Sequence, residues 1–165
     1  MNVSMAVVKT AGQYDLSVSG VFDVSAIYKE TKDLITEAEY IFTEKEQEAK
    51  ANQYGEQMAF KMHGWKKFDD FCDSEVDVEL YFSDCALVKV EGKKMAKGHL
   101  RAKMKFTVRY DYKDRWRQSF FLEKLFTFYI NYVGGGMLKE KYFKPIAKQS
   151  SVFYSAFKDM LDLYL

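Results

Sequence analysis

LRAKMKFTVRYDY, residues 100–112, alternates without interruption. Leu100, Ala102, Met104, Phe106, Val108, Tyr110 and Tyr112 are apolar, and Arg101, Lys103, Lys105, Thr107, Arg109 and Asp111 between them are polar. A period of two belongs to a strand, because successive side chains leave a pleated backbone on opposite sides. One face then meets a core and the other meets water, as in an antiparallel sheet open on one side and not in a parallel sheet buried on both. At roughly 3.3 Å per residue the run spans on the order of 40 Å, so it has to twist and coil around something.

Working back from this run, the turn 91–94 follows a short apolar segment, 86–90. Before it Val76, Val78, Leu80 and Phe82 alternate with Glu75, Asp77, Glu79 and Tyr81 in a further strand, which breaks at Ser83 and Asp84. The polar run 66–73 reads as a turn or bulge, and Met58, Phe60, Met62 and Gly64 mark the strand preceding it. Residues 52–55 form a hairpin tip, while a strand opened by Tyr40 and Phe42 dissolves into the charged stretch 44–50. Tyr14, Leu16 and Val18 give a first strand ending at Gly20. Behind Asp23, a candidate N-cap, Val24, Ile27, Tyr28, Thr31, Leu34, Ile35 and Ala38 recur at helical spacing. About six strands in a meander, joined by short connections, are expected.

After Tyr112 the period changes. Ser119 caps a predicted helix in which Phe121, Leu122, Leu125, Phe126, Tyr129, Ile130 and Val133 repeat at helical spacing, while Phe120, Phe128 and Tyr132 leave little of its circumference polar. A helix apolar nearly all round is expected to be buried or covered. It stops at Gly134, Gly135 and Gly136, and the remainder, with Leu138, Tyr142, Ile146, Val152, Phe153, Ala156, Phe157, Met160, Leu161 and Tyr164, is helical again. Pro145 either kinks that helix or begins its second half. The fold class is therefore α+β: an antiparallel meander with one N-terminal helix and two C-terminal helices on its concave face, in a single domain spanning residues 1–165.

The composition narrows the function classes. Rings make up 17% of the chain, 14 Phe, 12 Tyr and 2 Trp, so the core is built largely from aromatics. With 25 basic and 24 acidic residues, no net field draws the whole molecule onto nucleic acid or anionic lipid. The N-terminus lacks a basic lead and a long apolar run, and no stretch approaches the roughly 20 apolar residues of a membrane span, which predicts a soluble cytoplasmic protein. Cys72 and Cys85 have no ligand-type spacing and are expected reduced and buried.

Strand, helix, a run of antiparallel strands and terminal helices is an order similar to that of the helix-grip domains, the group of START and Bet v 1-like proteins. The resemblance spans the whole chain as element order and carries no residue motif, so no binding or catalytic residue transfers with it. It implies a curved sheet folded around a long C-terminal helix, often with an apolar cavity between them. The ring-rich helix 120–133 is an addition to that pattern, placed to fill such a cavity.

Four constellations are candidates for chemistry. The stripe Arg101, Lys103, Lys105 and Arg109 on one strand face suits an anionic backbone, with Tyr81 placed to stack a base; near-neutral charge instead favours cross-strand pairing with Glu75, Asp77 and Glu79. The triple glycine before Lys139 and Lys141 lacks a P-loop pattern and reads as helix termination. Asp69, Asp70 and Asp73 with His63 are the candidates for metal or acid–base work, but a solvated turn accounts for them better. Rings and methionines invite an apolar ligand: Phe121, Phe126, Tyr129, Phe153 and Phe157 are expected to face Met104, Phe106 and Val108 around a cavity between sheet and terminal helices. The sequence thus predicts a binding domain, without a cofactor or metal, for an apolar small molecule or lipid. The competing reading is a protein-interaction module, including a homodimer, and weak nucleic-acid binding is a third.

Overall fold

The computed structural model describes residues 7–53, 55–115 and 118–163; residues 1–6, Tyr54 and Tyr164, all used in the sequence reading, lie outside that set. Five strands, β1 (Val7–Phe22), β2 (Ile41–Asn52), β3 (Gly55–Lys67), β4 (Cys72–Val90) and β5 (Lys93–Tyr110), pair antiparallel in the order β1-β5-β4-β3-β2. β2 to β5 are a meander, and β1 closes the far side by pairing with β5. The alternation from Leu100 to Tyr110 is borne out in detail: Leu100, Ala102, Met104, Phe106, Val108 and Tyr110 are all buried.

The expected count of six strands is corrected to five. Residues 75–82 and 86–90 belong to one strand, β4, because the break at Ser83 and Asp84 is a bulge and not a turn. Ser83 pairs with His99 and Ala86 with Lys97, so β4 carries one residue more than its partner. Asp84 absorbs it at φ 53°, and Gly98 opposite lets Ser83 O and Cys85 Sγ approach where a Cβ would collide with both. The stretch 44–50 is likewise strand: β2 runs on to Asn52, paired with β3, and reads as charged because an edge strand has little to bury.

Helix α1 (Val24–Glu37) begins where Asp23 Oδ1 accepts the Ala26 amide at 3.1 Å and buries Ile27, Thr31 and Ile35. Helix α2 (Phe120–Phe128), capped by Ser119, continues through a π-helical turn (Tyr129–Val133), α3 (Gly135–Leu138) and a second π-helical turn (Lys139–Phe143) into α4 (Lys144–Leu163). Gly134 N–H donates to Tyr129 O at 2.7 Å and ends the first wide turn. Pro145 falls in the first turn of α4, directly after the second wide turn has re-spaced the backbone ladder that its ring and missing N–H would otherwise break.

α4 packs on the sheet. Phe153 meets Phe106 edge to face at 5.2 Å, and Tyr154 stacks on Tyr14 at 4.4 Å. Close approach to β1 is possible because residue 12 is glycine: a Cβ there would run into Ser150 Oγ, which pairs with Tyr14 Oη at 3.1 Å. α2 does not share this position. Its Phe126 anchors it to Phe71, in the turn between β3 and β4, so of the two C-terminal helices expected on the concave face α4 alone packs on the sheet.

Candidate apolar groove

The turn between β3 and β4 is only four residues long, because Cys72 and Asp73 are already strand. Asp69 shapes it: Oδ1 accepts the Phe71 and Cys72 amides at 2.8 and 2.9 Å, and Oδ2 accepts the Tyr142 hydroxyl at 2.6 Å. Burial pushes the Asp69 carboxyl up, but these donors and nearby Lys141 outweigh it and hold the group below its ordinary value. Burial, aided by Asp69, pushes the Tyr142 hydroxyl well up. The turn thereby holds Phe71 at the centre of a ring cluster, 6.0 Å from Tyr110, 5.9 Å from Phe126 and 6.3 Å from Tyr142.

Over this cluster the helical arm 120–143 folds back and leaves an open groove of about 750 Å³. Phe71, Phe126, Leu138 and Tyr142 form its floor, while Leu125, Phe128, Tyr129, Val133 and Met137 form its walls. Among the described residues lining it, Lys141 is the one that carries a charge. Rings and aliphatic side chains dominate its lining.

The ligand residues expected from the sequence are divided between three places. Met104, Phe106, Val108, Phe153 and Phe157 are buried in the core between sheet and α4, with Phe153 against Phe106. Phe126 and Tyr129 do line a cavity, beyond the sheet rather than under α4. Phe121 points outward and is 72% exposed. Phe71, Leu138 and Tyr142 were not anticipated; the available signal was a ring standing in an otherwise polar turn, which has to be covered by something.

The basic stripe is neutralised in place. Arg101 donates to both oxygens of Asp15 on β1, Arg109 to both oxygens of Asp73, and Lys103 and Lys105 stand in register with Glu79 and Asp77. A groove of about 610 Å³ on this polar face sets Lys45, Lys61, Lys103 and Lys105 against Asp15, Glu46, Asp77 and Glu79, a balance that offers an anion no net attraction.

The acidic cluster is not a solvated turn throughout. Asp73 is fully buried, and Trp65 Nε1 donates to it at 2.6 Å. Asp70 pairs with Lys113 and Lys67, which lower its carboxyl to about 2. His63 Nδ1 lies 2.9 Å from Asp77. Cys72 and Cys85 are unbridged and buried, and burial pushes both thiols up. Among the described residues no group of three or more ligating side chains converges, and no helix is long and apolar enough to cross a membrane. No protein-family model matches the chain, and no curated protein matches it.

Proposed function

We propose that the chain is a binding domain whose groove over Phe71 takes a chain-like apolar small molecule bearing an acidic end, such as a fatty acid. The observation that carries this reading is the lining itself. A volume of about 750 Å³ lies within the range of small-molecule sites, and apolar side chains dominate its walls. Lys141, on the rim, gives a carboxylate head a partner while the acyl chain replaces water over Phe126 and Leu138. Element order and the packing of α1 and α4 against a long antiparallel sheet support a helix-grip relationship for the scaffold, with the ligand space displaced from beneath α4 to the arm 120–143.

Native mass spectrometry and thermal melting with a long-chain fatty acid test this directly. One-to-one saturable binding and a raised melting temperature are expected, since ligand at a hundredfold excess over Kd adds about 2.7 kcal/mol to stability. Leu125→Trp with Met137→Trp fills the groove from its walls and abolishes the shift. Identical melting curves with and without ligand, or binding unaffected by the filling, overturn the reading.

A further inference from the structure

We propose that the outward side of the arm 120–133 docks on the surface of an anionic lipid bilayer. The sequence predicts that so apolar a helix is covered; instead only a narrow stripe of it is. Phe126, Ile130 and Gly134, four residues apart, are buried, with Leu122 half-buried in line with them. The neighbouring arc, Phe121, Leu125, Phe128 and Tyr132, recurs at helical spacing and lies in solvent, with Tyr132 78% exposed. Phe128 and Tyr132 touch at 5.2 Å, so the arc is a continuous ring surface. Glu123, Lys124, Thr127 and Asn131 fall together on the remaining side.

That division suits a helix lying in the plane of an interface, its rings at the acyl boundary and its polar edge in the headgroup layer. Phenylalanine and tyrosine are the residues expected at those depths. Charge selects among the partners an apolar face can have. Residues 113–148 hold eight basic and three acidic residues, leaving 17 basic and 21 acidic in the rest of the chain, so an overall balance near zero conceals a cationic stretch of sequence; Lys113, Lys141 and Lys144 within it pair with Asp70, Asp69 and Glu140, while Lys124 lies 5.2 Å over the exposed Phe120 ring. A second copy meeting this face through a two-fold axis would set like charge against like. An anionic bilayer offers the complement. Leu125 and Phe128 of this arc also line the groove whereas Phe121 and Tyr132 do not, so the variants that test docking are placed at Phe121 and Tyr132.

The experiment is co-sedimentation of the full chain with vesicles of phosphatidylcholine alone and of phosphatidylcholine mixed with phosphatidylserine, at low and high salt. Retention at least about tenfold stronger on the serine-containing vesicles, weakened by salt, is expected. Phe121→Ser with Tyr132→Ser lowers it about tenfold more while leaving the melting temperature unchanged, since both side chains are exposed. No retention on either vesicle, equal retention on both, or retention unchanged in the double variant overturns the proposal. So does a dimer in sedimentation equilibrium that the double variant dissociates, which makes the face a self-interface. Fatty-acid binding measured without vesicles is unaffected by any of these results, so the two readings fail separately.

Discussion

The Tyr142 hydroxyl donates to Asp69 Oδ2 at 2.6 Å, joining a four-residue turn of the sheet to the wide turn that leads into α4. This bond and the two amides on Oδ1 help to position Phe71 under the groove, together with the Asp111 amide, which donates to Phe71 O at 2.6 Å. Asp69 titrates below its ordinary value in the folded chain, so its contribution is present above about pH 4 and is lost as pH falls through the folded value. Urea unfolding across the acid range should therefore show wild type losing stability faster than Asp69→Asn. Parallel acid limbs for the two proteins count against the assignment.

Lys66 ties three elements at one point. Its ammonium donates to Ala38 O at the end of α1 at 3.1 Å and to Gln149 Oε1 of α4 at 2.6 Å, and lies 4.5 Å from the centroid of the Tyr40 ring. A cation at a helix C-terminus also complements the helix dipole. Burial lowers the half-buried Lys66 ammonium from its ordinary value, and these partners replace part of the water it has lost. Lys66→Met is expected to destabilise by about 1.5–3 kcal/mol, the range for hydrogen bonds to charged groups, read as a shift in urea midpoint at constant slope.

The strand face of Leu100–Tyr110 was legible because alternation reports burial directly, residue by residue. Strand number was less so. A bulge shifts the phase of alternation as a turn does, and its signature here is divided between Asp84 and a glycine on the opposite strand, Gly98, which become neighbours only once the register is known. The charged β2 was obscured for another reason: both its faces are largely solvated, so no period marks it. For the site, helical spacing found Phe126 and Tyr129, but Phe71 and Tyr142 lie 71 residues apart in sequence and meet through a turn geometry that composition does not encode.

Two arginines on one strand should behave differently. Asp73 is fully buried, bound by Arg109 through both oxygens and by Trp65, so Arg109→Leu leaves a carboxylate without its cation and is expected to cost about 3–5 kcal/mol. Arg101 and Asp15 form an equally good two-bond pair, at 2.7 and 3.1 Å, but in solvent, where screening leaves such a pair little net effect, and Arg101→Leu is expected to cost far less than Arg109→Leu. Equal losses in chemical denaturation contradict this account of the stripe.

The alkaline limb of stability follows from phenols deep in the core. Tyr40 is buried and paired with Ser74 Oγ at 2.8 Å; because Ser74 spends its own proton on Thr107 O, Tyr40 is the donor. Burial raises the Tyr40 hydroxyl to about 12, and burial likewise raises Tyr110, beside Phe71, to about 12. The folded state therefore holds these protons more tightly than the unfolded chain, whose tyrosines titrate near 10. Their contribution is complete below about pH 10 and is lost as pH rises from there to about 12. Phenolate absorbance should show these two groups ionising together with unfolding, after the exposed tyrosines. In Tyr40→Phe, stability should decline less steeply across that window, whereas an unchanged slope would mean Tyr40 ionises without opening the core.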